Sequence, residues 1–187
     1  MKALYSIAIH PSEDIIVSIK TMKEELAAKI GWFNSKNSIA HITINEFEAN
    51  DAQITIIKKH LTELCDTLQP VEVRFNIYGS FPNNGAFFIA PEETSKTALK
   101  GIMKYLNDAL RVAPKFKSNE PHISIARRLT PEKLAIAHAF FSPIDMHFLC
   151  DSVVIRKFNT IQQQFEVVDT IPFNSNTASL PAQGILF

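Results

Sequence analysis

Apolar and polar positions change their period several times along this chain, and each change marks an element. "ALYSIAI" (3 to 9) is apolar with β-branched and aromatic residues, the pattern of a strand buried on both faces. It ends at Pro11-Ser12. From there Ile15, Ile16, Ile19, Met22, Lys23, Leu26, Ala27 and Ile30 recur at helical spacing. Ser12 is the expected N-cap, Glu13 and Asp14 suit the first turn, and Gly31 stops the helix. "SIAHITINEF" predicts a strand. Asn50-Asp51 opens a second helix with Ile54, Ile57, Leu61, Leu64 and Leu68 inside, ended by Pro70. "VEVRFNIYG" alternates like a half-buried strand, "SFPNNG" is turn chemistry, and "AFFIA" is a short apolar strand.

The order then repeats. Pro91-Glu92-Glu93 opens a helix through Leu99, Ile102, Leu106 and Leu110. A loop with Pro114, Lys115 and Lys117 leads into "PHISIARR", and Thr130-Pro131 starts a fourth helix. Two long strands close the order, "MHFLCDSVVIRKF" and "FEVVDTI". "YSIA" at 5 aligns with "FFIA" at 87 at an offset of 82, and the two histidine strands align at 81. The expected fold is α+β and bilobal, with two pseudo-symmetric β-α-β-α-β units whose mostly antiparallel sheets face a central cleft. Residues 1–171 form one domain in this reading, and 172–187 an irregular tail.

Composition narrows the function. With 19 basic and 19 acidic side chains the net charge is zero, which argues against a protein held to nucleic acid by non-specific phosphate attraction. A small phosphorylated ligand in one cleft stays compatible. No apolar run approaches the roughly 18 residues needed to cross a bilayer, and the N-terminus turns polar too soon for a secretory signal. Cys65 and Cys150 are isolated thiols, which fits a cytoplasmic protein. There is no glycine-rich phosphate loop, nucleophile elbow or dinucleotide fingerprint. No metal, cofactor, membrane or stable protein partner is expected, and the chain reads as a monomer.

The chemistry lies in two tetrads, "HITI" (41 to 44) and "HISI" (122 to 125). Strand alternation puts His41 and Thr43 on one face with Ile42 and Ile44 on the other. His122 and Ser124 stand likewise against Ile123 and Ile125. One such tetrad is compatible with an ordinary strand; two at matching places in a repeated order call for a cause. Two imidazoles offer a base and an acid near neutral pH, and two hydroxyls offer donors to the non-bridging oxygens of a phosphate.

Those tetrads, about eighty residues apart, together with "FNIYGSFPNNGAFFIAPE" (75 to 92), resemble the 2H phosphoesterase superfamily. The branch they resemble is called 2′-5′ RNA ligase, or RNA 2′,3′-cyclic phosphodiesterase. The resemblance covers about residues 3 to 171. It implies a bilobal α+β fold and metal-independent cleavage of phosphodiesters linked to a ribose 2′ position, on a nucleotide or RNA-end substrate. His41 and His122 inherit catalysis, and Thr43 and Ser124 inherit the phosphate. The alternative function is a non-catalytic nucleotide- or RNA-binding module using the same cleft. After the first tetrad the chain departs from the family with "NEFEAN", where Phe47 is expected to supply an aromatic wall, since 41, 43, 45 and 47 alternate onto one face. Tyr5 is a further candidate contact. The family's basic residue after the second tetrad matches Arg127, whereas strict alternation favours Arg128 unless a bulge intervenes.

Overall fold

A computed structural model of the chain describes residues 1–110 and 112–176. Among these residues four α-helices and nine strands follow in the order β1 (Ala3–Ile9), α1 (Glu13–Ile30), β2 (Ile42–Ala49), α2 (Asp51–Asp66), β3 (Val71–Phe81), β4 (Ala86–Pro91), α3 (Glu93–Ala109), β5 (Pro114–Lys117), β6 (Ile123–Ala126), α4 (Pro131–Phe140), β7 (Met146–Cys150), β8 (Ser152–Asn159) and β9 (Gln164–Pro172), with a 3-10 turn at Pro82–Asn84 between β3 and β4. Helix ends obey the local chemistry. Asn50 and Gln53 form a reciprocal capping box on α2, and Thr130 Oγ1 accepts from Lys133 N at the start of α4. Gly31, at φ +79°, turns the chain out of α1.

The strands make two antiparallel sheets, β5-β2-β1-β8-β9 and β6-β4-β3-β7. Setting β2, β1, β8 and β9 against β6, β4, β3 and β7 gives the expected pseudo-symmetry. The repeat is nevertheless not closed on itself, because β3 crosses into the second sheet and β8 returns beside β1. Ile7, Ile9, Ile42, Ile44, Phe47, Phe75, Phe87 and Ile89 are fully buried in the resulting core.

Two sequence expectations are corrected here. "MHFLCDSVVIRKF" is two strands, broken at Asp151 where the chain changes sheets and the Asp151 carbonyl accepts from Phe173 N. "PKFK", read as loop, is the short edge strand β5, because pairing with β2 decides its conformation although all four residues are exposed. Ser12 holds the N-cap position of α1 without a side-chain bond to a helix N–H. Strand β9 runs to Pro172. The next residues are tied down: Phe173 is buried, and the Asn174 and Asn176 side-chain amides donate to Asp66. Residues 177–187 of the expected tail lie outside the described residues. No helix among the described residues is long and apolar enough to cross a membrane.

Candidate active site

The first tetrad is shaped by a β-bulge. Strand β2 pairs with β1 as Ile42 with Ile9, Thr43 with Ala8, and Asn45 with Ile7, leaving Ile44 as the extra residue. Up to Thr43 the alternation holds: Ile42 and Ile44 are fully buried while His41 and Thr43 are half-buried. Ala8, Ser6 and the residues opposite them on β8, Val154 and Arg156, share the face of Thr43. His10 follows on the same side, its ring centroid 6.5 Å from that of His41. The turn before His41 is held by the buried Lys23 ammonium, which donates to Ser38 O at 2.7 Å and Ser38 Oγ at 3.1 Å. His41 Nδ1 donates to Ile39 O at 2.6 Å, which leaves Nε2 as the free nitrogen.

Beyond the bulge the faces exchange. Phe47 now pairs with Tyr5, and the two rings stack at 6.1 Å inside the core, 1% and 4% exposed. Neither forms a wall for His41. That corrects both expectations: the inserted residue turns Phe47 into the core, and Tyr5 lies there because it alternates with Ile7 and Ile9 on the buried face of β1.

The second tetrad repeats the design. His122 Nδ1 donates to Glu120 O at 2.8 Å, the carbonyl two residues back, as in His41. Ile123 and Ile125 are fully buried, and Ser124 pairs with Phe88. The aromatic wall is here: His122 stands 4.9 Å from the Phe88 ring and edge-on to Phe81 at 5.6 Å, and the two phenylalanines touch at 4.5 Å. Both belong to the "SFPNNGAFF" stretch, to which the sequence reading gave no side-chain role. Another bulge separates the Phe88–Ser124 pair from Phe87–Ala126 and leaves Ile125 unpaired. It moves the alternation forward, so Arg127 rather than Arg128 acts electrostatically on His122. Arg128 is exposed, at φ +57° in the left-handed region, and is not among the charges that act on His122, which corrects the strict count.

The two tetrads lie on segments tied at both ends. Arg127 N donates to Asn34 O and Ser118 N to Ile44 O, each at 3.0 Å, and Ser35 Oγ donates to Ile125 O at 3.2 Å. Asn45 and Asn107 add a side-chain bond of 2.8 Å. Between these ties the stretch carrying His41 runs antiparallel to the stretch carrying His122. Lys115 and Lys117 pair with Glu48 and Asp108.

Burial holds both histidines below their ordinary pKa, and His41 well below it. The Arg156 guanidinium adds to the effect on His41, with smaller contributions from His10 and Lys23. For His122 the bond to the Glu120 carbonyl opposes burial. Arg156 was missed by the sequence reading, though a lone arginine in the apolar run "SVVIRKF" was a signal. Among the described residues no group of three or more His, Cys, Asp or Glu side chains is gathered to hold a metal ion.

The family model described as the 2′-5′ RNA ligase superfamily matches residues 11–161. This chain belongs to that superfamily. Solved structures of its fold include Escherichia coli LigT complexed with 3′-AMP, with a TM-score of 0.68 at 12% identity over 92% of this chain and 99% of that one. TT0787 of Thermus thermophilus matches at 0.62 and 16%, over 92% and 99%. Usb1 of Kluyveromyces marxianus matches at 0.59 and 11%, over 91% and 98%. No curated protein matches the sequence. At these identities the structural likeness establishes the fold alone and leaves the substrate to be argued from the site.

Proposed function

We propose that the chain is a metal-independent phosphodiesterase acting on 2′,3′-cyclic phosphates or 2′-linked phosphodiesters of RNA ends or small nucleotides, by two-histidine acid–base catalysis. The observation that carries this reading is the matched tethering of His41 and His122. Each Nδ1–H is committed to the carbonyl two residues earlier, so each Nε2 is left for chemistry.

The roles follow from electrostatics. His41, held neutral by burial and by Arg156, is the general base: its Nε2 takes a proton from water as the oxygen attacks phosphorus. The bond from phosphorus to a ribose oxygen breaks, and His122 Nε2–H protonates that oxygen, leaving a phosphate monoester. His122 must then be an imidazolium with both nitrogens protonated. The bound phosphodiester anion favours that form, and the Glu120 carbonyl already accepts the Nδ1–H. Thr43 and Ser124, two residues beyond each histidine on the same face, hold the non-bridging oxygens. Arg127 supports the phosphate beside His122, and Phe81 and Phe88 offer stacking surface to a base. The buried free thiols Cys65 and Cys150 fit the cytoplasmic location read from the sequence.

The test is a screen of 2′,3′-cyclic nucleotides and 2′-5′ dinucleotides with chelator present, the product phosphate located by phosphorus NMR. Turnover that His41→Ala and His122→Ala each reduce by about two to four orders of magnitude is the expected result. Tight binding of nucleoside monophosphates with no turnover of any substrate class would instead make the chain a binding module.

A further inference from the structure

The geometry points to Arg156 as a phosphate-holding cation of this pocket, a buried guanidinium without an acidic partner on the face that carries His41 and Thr43. The inference rests on the phosphate-ester reading above and deepens it.

Arg156 is 3% exposed, yet no carboxylate among the described residues forms an ion pair with it. Its Nη2 donates to Ser6 Oγ at 2.8 Å, and its guanidinium lies 5.0 Å from the centre of the Phe165 ring. Neither partner carries charge. Glu46, across strand β1 on the other side of Ser6, acts on the guanidinium only at longer range. Burial accordingly lowers even this arginine, to about 10. A buried cation without a counter-charge is unfavourable, and nearby carboxylates normally remove the penalty.

A second observation points the same way. Arg156 Nε and His10 Nε2 are both buried without a hydrogen-bond partner among the described residues. Ser6, Ala8 and His10 follow one face of β1, and Arg156 is the cross-strand neighbour of Ser6. Two unpartnered nitrogens, one on a fixed cation, therefore lie on the face where His41 and Thr43 stand. A phosphate supplies both what is lacking: acceptor oxygens in the fork geometry a guanidinium matches, and negative charge. The same anion would offset the effect of Arg156 on His41 as substrate binds.

Inorganic phosphate titrated into the full-length protein tests this, with binding read by phosphorus NMR and thermal unfolding for wild type, Arg156→Met and Arg156→Lys. The methionine variant is expected to bind phosphate at least about tenfold more weakly. In phosphate-free buffer it should unfold at the same temperature as wild type or higher, since an unpaired buried charge has become an apolar side chain. The lysine variant keeps the charge without the fork and should fall between. Phosphate affinity within about threefold of wild type in the methionine variant would overturn the inference. So would a methionine variant destabilised without phosphate, because Arg156 would then be a structural strut. Assaying cyclic-nucleotide turnover of the wild type beside these titrations separates the two readings. Arg156-dependent phosphate binding with no cyclic-nucleotide turnover in wild type removes the catalytic reading alone; normal turnover with phosphate binding indifferent to Arg156 removes this one alone.

Discussion

His41 and His122 are held by the same bond: each donates its Nδ1–H to the backbone carbonyl two residues earlier, Ile39 in one case and Glu120 in the other. Their electrostatic surroundings differ. Arg156, His10 and Lys23 bear on the first, whereas Arg127 and Glu120 bear on the second. A shared tautomer with unequal basicity is what a base and an acid on opposite sides of one phosphorus require.

The pH dependence follows with a definite sign. His41 must be neutral to act as base, so kcat/KM rises with pH through its pKa, which lies well below 6.5. His122 must be protonated to act as acid, so kcat/KM falls as pH passes its pKa, which is also lowered in the free protein. The maximum of kcat/KM should thus lie below pH 6.5, while the falling limb of kcat moves upward because bound phosphate favours the imidazolium. Alanine at either histidine should reduce turnover by about two to four orders of magnitude. A kcat/KM optimum above about pH 7.5 would contradict the assignment.

Arg127 and Arg128 should behave oppositely on substitution. Arg127→Ala is expected to raise KM about tenfold, through loss of a charged contact with phosphate. Arg128→Gly should leave kinetics unchanged and hold or slightly raise the unfolding temperature, since Arg128 occupies the left-handed region at φ +57°. Equal kinetic losses in both variants would show that the bulge does not sort the two side chains.

Much of this architecture is visible in apolar periodicity. Ile15 to Ile30 marks α1, and the Ile-x-Ile spacing of each tetrad fixes which face its histidine takes. What periodicity cannot show is register. Ile44 and Ile125 look like ordinary alternating residues, and only their partner strands reveal that each is an inserted residue. That is why alternation puts Phe47 and Arg128 on the wrong side, and why it assigns no wall to Phe81 and Phe88. The break at Asp151 is hidden for a related reason: both halves are β-rich, and nothing local says they belong to different sheets.

Gly79 and Phe88 are cross-strand partners, and a β-carbon at residue 79 would stand 2.5 Å from Phe88 Cε2. The ring lies over the glycine and in turn supports His122. Gly79→Ala should destabilise the protein by about 1–3 kcal/mol, the usual range for overpacking, and lower kcat as His122 loses its backing. Phe88→Leu should relieve the clash. In a double-mutant cycle followed by urea unfolding, the pair should therefore lose less stability than the sum of the singles. Strict additivity would mean that the ring swings away freely and that Gly79 sets nothing about His122.

Stability should fall between pH 6.5 and about 4, and His10 should be a main cause. Burial first, then Arg156, lower its pKa from 6.5 to about 4. The folded state therefore keeps this ring neutral where the unfolded chain takes up a proton. Its contribution is intact above the unfolded value and is lost as pH drops from about 6.5 towards about 4, by roughly 3 kcal/mol at about 1.36 kcal/mol per unit. His41 and His122 shift in the same direction and add to the loss. Carboxylates held down by their partners, such as Asp145 beside Arg74 and Glu120 beside Lys100, also lose stability as pH falls, and they are present in wild type and in a His10 variant alike, so the difference between the two isolates the histidine. Urea midpoints measured from about pH 7.5 to about 4.5 should decline in wild type and flatten in His10→Gln. A decline of equal slope in that variant would show that His10 is not a source of the acid sensitivity.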